Sequence, residues 1–352
     1  MLQTKKVFLD TECFVRNNLN FENSVLTAFK KLCDEQELQH LSTTLVYREV
    51  VRKIEDSTKE ALDALKTFKR KAQPLNNLDN KDLSSLFKDL DEGETYQKAI
   101  NSFKNYLEEC LTEIISADSI NCEDILDRYF QTKPPFTKDK SNEFRDAISL
   151  SSLKDFIDGE SVYVVSGDKI LEQYCEEDDK LIYVDSLSKL IDLHSETNAR
   201  TSKLKDFLHN QVETLQGLIS DLIEDCDVYN NSTWEDAEVE EFKILSVDID
   251  DISVLSISDE DAVVIADARI ILEVTVTGPD YNNGTYDKED GIIYTHEHST
   301  QIVSIDYDYE VDIEVVYNYE DDDVTDANLT VNIDDTHKGI EVSVEENEQD
   351  YY

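Results

Sequence analysis

The chain has 352 residues, of which 39% are hydrophobic and 32% charged, and it carries a formal net charge of −47. That length exceeds one ordinary core and sets an expectation of about two domains. No run approaches the roughly 20 apolar residues that span a bilayer, and the first ten residues reach an acid where a signal peptide needs an apolar stretch, so a soluble, cytoplasmic protein without membrane contact is expected.

Lys6-Val7-Phe8-Leu9-Asp10 reads as a short buried strand that ends in an acid. Residues 22–39 have helical spacing, with Val25, Leu26, Phe29 and Leu32 on one face. Residues 41–46 read as a second strand, running into a long helix that carries Glu49, Val50 and Ile54. Residues 72–132 are expected to be mostly helical until Lys133-Pro134-Pro135-Phe136 breaks the pattern. A helix through Asp146, Ala147, Ile148 and Leu150 follows, then the strand Val162-Tyr163-Val164-Val165 ending at Ser166-Gly167-Asp168. The strand Leu181-Ile182-Tyr183-Val184 and a helix over residues 186–193 close the unit. Strands alternating with helices predict a parallel α/β sheet flanked by helices over residues 1–194, with its ligand crevice at the carboxyl ends of the strands.

Residues 195–225 read as one amphipathic connecting helix, and residues 195–234 as connector and linker. Beyond Trp234 the apolar period changes from 3.6 to 2, with alternating runs such as 271–276, 311–316 and 340–344, and with turn formers at Gly278-Pro279-Asp280 and Asn283-Gly284. An all-β domain over residues 235–352, a sandwich, is expected. It holds 35 acids against Lys243, Arg269, Lys288 and Lys338, a net −31, whereas the first 234 residues keep 29 Lys and Arg. Two units with different electrostatic roles follow from that split. The acidic β domain reads as a partner-binding or regulatory module, or as a solvated surface that needs no partner.

The six cysteines (13, 33, 110, 122, 175, 226) form no Cys-x-x-Cys pair, which fits reduced thiols and not a zinc site. His296 and His298 would share a strand face, and the acids at 320–323 lack the order of a calcium loop. No phosphate-cradling glycine motif is present.

Asp10, Glu49, Asp146 and Asp168 are the acids that the pattern places near strand ends, where they could bind Mg²⁺ or Mn²⁺ through hard oxygen ligands. An acid at a strand end is also a common turn former or helix cap. Four segments in one order go further: Val7-Phe8-Leu9-Asp10, then Leu45-Val46-Tyr47-Arg48-Glu49, then Pro134-Pro135-Phe136 with Glu143-Phe144-Arg145-Asp146-Ala147-Ile148, then Val164-Val165-Ser166-Gly167-Asp168-Lys169. Over about residues 5–193 the chain resembles a PIN-like domain, in particular the bacterial branch with a helical insertion ahead of the Pro-Pro-Phe segment. The resemblance implies a divalent-metal endonuclease, usually a ribonuclease acting on single-stranded RNA, in a toxin-like or bacterial defence setting. It also implies catalytic and metal-ligating roles for Asp10, Glu49, Asp146 and Asp168, with Ser166 and Lys169 near the site. Glu143 lies three residues before Asp146, on the same helical face, so it is either a further ligand or an ion-pair partner for Lys140 or Arg145. Arg52, Lys53, Lys138, Lys140 and Arg145 are candidates for nucleic-acid binding, or else a solvated basic face. A catalytically weak scaffold on the same fold, and a nuclease acting on DNA, are the alternatives.

Overall fold

A computed structural model describes residues 2–76, 87–118, 120–138, 143–196, 199–288, 291, 293–320, 323–334 and 339–346. The chain divides into two units, Met1–His194 and Ser195–Tyr352.

The first unit opens with β1 (Lys6–Leu9), α1 (Thr11–Arg16), α2 (Ser24–Asp34), β2 (Gln39–Thr43) and α3 (Thr44–Lys71). Short α4 (Gln73–Asn76), α5 (Glu92–Glu109), β3 (Glu113–Ile115) and α6 (Cys122–Gln131) follow. It ends with α7 (Phe144–Ile157), β4 (Val162–Val165), α8 (Lys169–Cys175), β5 (Leu181–Val184) and α9 (Leu187–Ser195). The five strands form one parallel sheet in the order β3-β2-β1-β4-β5. Val7, Phe8, Leu9, Val162, Val164 and Val165 are at most 1% exposed, as expected for strands covered on both faces by helices.

Strand order governs where a site can form. The chain builds outward from β1 to β2 and β3, then returns to the other side of β1 to lay down β4 and β5. Connections therefore diverge at β1 and β4, and a crevice opens at their carboxyl ends. Asp10 continues that ladder, donating its backbone N–H to the Val165 carbonyl at 3.1 Å.

Two expectations for this unit need correction. The second strand stops at Thr43, not at 46, because the Thr43 hydroxyl accepts the Val46 N–H at 3.3 Å and caps α3. The stretch 72–132 also hides β3, a three-residue edge strand that alternation cannot reveal at that length.

The second unit begins with α10 (Ala199–Asn210) and α11 (Val212–Glu224), then β6 (Val228–Asn230). Long strands follow: β7 (Glu238–Ile257), β8 (Asp261–Pro279) and, past the two-residue strands β9 (Thr285–Tyr286) and β10 (Ile293–Tyr294), β11 (His298–Glu320). β12 (Asp323–Asn332) and β13 (Ile340–Val342) complete it. The elements from β7 to β12 are all β and antiparallel, with a main sheet of order β12-β11-β8-β7. The runs 302–305 and 311–316 belong to one 23-residue strand, since neither Gly nor Pro interrupts them.

The expected connector is two helices, and they do not merely connect. Leu204, Leu208, Leu215, Ile219 and Ile223 are fully buried in one core with Val264, Ile270, Leu272, Val274, Val311 and Ile313. The sheet's apolar face thus packs on these helices, with Ile340 and Val342 of β13 in the same core. Gly278 is required here by close approach: a Cβ would lie 2.8 Å from the Trp234 ring and 2.9 Å from Ala237 Cα. The opposite face bears the charge, with Asp267 in register between Asp250 and Glu310 on the neighbouring strands. Acids directly across from one another repel, so this face is held by the core behind it.

Candidate active site

Each site acid is delivered by a strand end or a helix start. Asp10 ends β1 and caps α1, its carboxylate accepting the Thr11 N–H at 2.7 Å. Asp168 follows β4 and caps α8, accepting the Ile170 N–H at 2.8 Å. Glu49 stands in the second turn of α3, and Asp146 in the first turn of α7. The Pro-Pro-Phe segment fixes that last helix. Phe136 is 1% exposed, with its ring 4.9 Å from Phe144 and 5.5 Å from Tyr129.

The structure brings Asp10, Glu49, Glu143, Asp146 and Asp168 together around one cleft of about 630 Å³. Arg52, Lys53 and Arg145 line it too. Ser166 lies beneath, fully buried, donating to Asp10 Oδ2 at 2.9 Å and accepting the Asp168 N–H at 3.1 Å. One hydroxyl thus holds the ends of β1 and β4 in register. Lys169 begins α8 but is exposed and outside the lining. Lys138 is likewise exposed and outside the lining, and Lys140 lies outside the described residues.

Thr11 and Glu12 are among the cleft residues that were not anticipated. The Thr11 hydroxyl donates to Glu49 Oε2 at 2.9 Å, and Glu12 Oε2 accepts the Gly167 N–H at 3.1 Å. Gly167 permits that approach, since a Cβ there would stand 2.8 Å from Glu12 Oε1. The signal was available: once Asp10 is read as a helix cap at the crevice, residues 11 and 12 fall in the first turn beside it. Arg145 forms an ion pair with Glu49, and Arg52 stands 3.8 Å from Asp56.

The electrostatics are those of crowded carboxylates. Burial, aided by Glu12 and Glu49, pushes the Asp10 carboxyl up to about 6, although the Ser166 and Thr11 bonds oppose the rise. Asp146 is held well above the usual carboxylate range, first by burial, then by the charge of Asp10 and by its hydrogen bond to Glu143. Around the cleft stand seven acids, Asp56 included, against three bases. A net negative cleft of that kind repels a polyanion and favours an added cation.

That donor set is chemically suited to a hard divalent cation, which prefers oxygen ligands and gains from concentrated negative charge. Among the described residues no three or more His, Cys, Asp or Glu side chains stand as a ready-made group for an ion. The fit is therefore one of donor chemistry: Glu49 is turned to Arg145, and Asp10 to Ser166 and Thr11.

Residues 7–170 match the family model of the PIN domain, so the expectation of a PIN-like domain in the first unit holds. PIN domains are generally nucleases that use divalent metals. No curated protein and no solved structure matches the chain. No helix among the described residues is long and apolar enough to cross a membrane.

Proposed function

We propose that this chain, whose first unit is a PIN-like domain over residues 7–170, is a metal-dependent endonuclease that hydrolyses phosphodiester bonds in single-stranded RNA. The observation that carries the reading is the convergence of Asp10, Glu49, Asp146 and Asp168 on one cleft at the divergence of β1 and β4. Those four acids would hold Mg²⁺ or Mn²⁺, with Glu143 or Glu12 at the margin. When bound, such an ion supplies an activated water and neutralises charge on the phosphate.

The chain's own residues do the rest. Ser166 fixes the Asp10 carboxylate through its hydroxyl, and Thr11 fixes Glu49. Asp146 and Glu143 share a hydrogen bond, and loss of the proton between them would ready the Asp146 carboxylate for the ion. Arg52 and Lys53, on α3, meet the strand's phosphates at the cleft mouth. Lys138 and Lys169, both exposed, fit the outer path of the strand. The acidic second unit fits regulation or partner binding, since its charge repels nucleic acid. A cytoplasmic setting and a defence or toxin-like role go with the same reading.

The test is incubation of the full chain with labelled single-stranded RNA and DNA in Mn²⁺, Mg²⁺ or EDTA. Metal-dependent cutting of RNA is the expected result. Cutting of DNA alone would reassign the substrate. Binding without cutting in any metal would favour a scaffold on the same fold.

A further inference from the structure

We infer that Arg145 is an exchangeable counter-cation, which holds Glu49 in the metal-free cleft and passes to the phosphate backbone when Glu49 turns to a divalent ion. The inference rests on the nuclease reading above and adds to it a linkage between ion and substrate binding.

Three observations converge on it. Arg145 pairs with Oε1 of Glu49, while Oε2 of the same carboxylate accepts the Thr11 hydroxyl at 2.9 Å, so both oxygens are engaged. The Arg145 side chain is 64% exposed and that of Glu49 only 19%, so the guanidinium reaches inward from solvent to a fixed carboxylate. Arg145 also directly precedes Asp146 in the first turn of α7, and both residues line the cleft with Asp10. The guanidinium therefore stands among the oxygens that the ion would need.

A guanidinium has five N–H donors and no lone pair to offer a metal. It repels a cation placed beside it, so Glu49 cannot serve both at once. The exchange is inexpensive, because an exposed ion pair is a weak bond and the arginine returns to water. The released fork matches a phosphate, which it can bind through two parallel N–H bonds. Ion and nucleic acid would then strengthen each other's binding, and the effect must be reciprocal. A merely structural tie between α7 and α3 has no such consequence.

Calorimetric titration of Mn²⁺ into the wild type, Arg145→Ala and Arg145→Lys, without nucleic acid, reads the first half. Loss of the competing cation should tighten Mn²⁺ binding in Arg145→Ala by about two- to fivefold, the range that an exposed ion pair supports. Arg145→Lys should fall between. Binding of a fluorescent single-stranded RNA in EDTA reads the second half. Glu49→Gln should tighten it, and that gain should shrink at least about threefold in the Glu49→Gln/Arg145→Ala double variant. Unchanged or weaker Mn²⁺ binding in a folded Arg145→Ala protein, or an undiminished gain in the double variant, overturns the inference while leaving the nuclease reading intact. Failure of the wild type to bind Mn²⁺ at all overturns both.

Discussion

The buried hydroxyl of Ser166 donates to Asp10 at 2.9 Å, joining the first residue after β4 to the first residue after β1. The bond crosses the point where the sheet's connections diverge, and together with the Thr11 N–H it aims the Asp10 carboxylate. It also restrains the proton affinity of that carboxylate, which burial drives the other way.

Replacing Ser166 by Ala should therefore do two things. It removes a donor from Asp10 and an acceptor from the Asp168 N–H, costing about 1–3 kcal/mol of stability. It also lets the Asp10 carboxyl rise above its present value of about 6, moving the acid limb of metal-dependent activity to higher pH. Urea denaturation and a pH–rate profile check the pair. Lost stability with an unmoved acid limb would separate Ser166 from the ionisation of Asp10.

Phe136 is 1% exposed among Ile125, Ala147, Phe144 and Ile148, and truncation to Ala should cost about 3–5 kcal/mol. Because that cluster seats α7, activity should fall in protein that is still folded at low temperature. Melting curves beside rates at 10 °C distinguish misplacement of Asp146 from simple unfolding.

The metal-free protein should lose stability as pH rises. Asp10 titrates near 3.8 when unfolded and near 6 when folded, and Asp146 is shifted the same way. Folded protein then binds more protons than unfolded protein above pH 3.8, so stability declines with pH across that window and levels off once both groups are ionised. In EDTA the first unit should melt at lower temperature at pH 8 than at pH 5.5. Asp146→Asn should flatten that slope, and Mn²⁺ should raise the melting temperature more at pH 8 than at pH 5.5. An equal effect of Mn²⁺ at both values would place the ion away from these acids.

The sequence exposes the sheet and the acids that end its strands because those signals are local: an apolar run of four, then Asp. Glu49 and Asp146 were reachable only through the order of motifs, since one carboxylate on a helix resembles the next. Thr11 and Glu12 follow once Asp10 is read as a helix cap, but the Arg145–Glu49 pair meets across 96 positions, and no periodicity encodes that. The second unit misleads for another reason. An amphipathic helix advertises that it will be covered, but not by what, and the helices at 199–224 cover the β-sheet.

That packing decides where the acidic unit can be removed. A chain cut near 229 would strip Leu204, Leu208, Leu215, Ile219 and Ile223 of their sheet, so the cut belongs at His194. If the acidic unit repels nucleic acid, residues 1–194 should bind single-stranded RNA more tightly than the full chain at about 30 mM salt. The difference should fade near 0.15 M, where the Debye length is roughly 8 Å. Equal binding at low salt would leave the unit as a partner-binding module and not a shield.

The most direct test of the whole account is the rate of RNA cleavage in Mn²⁺ by the wild type, Asp10→Asn and Asp146→Asn, with folding confirmed by melting curves. The amide keeps the size of the carboxylate and removes the charge a hard cation requires. Cleavage by the wild type, abolished by EDTA and lost from both variants while they remain folded, is the predicted result. Asn variants that cut as fast as the wild type, or cleavage indifferent to EDTA, would contradict the assignment of this cleft.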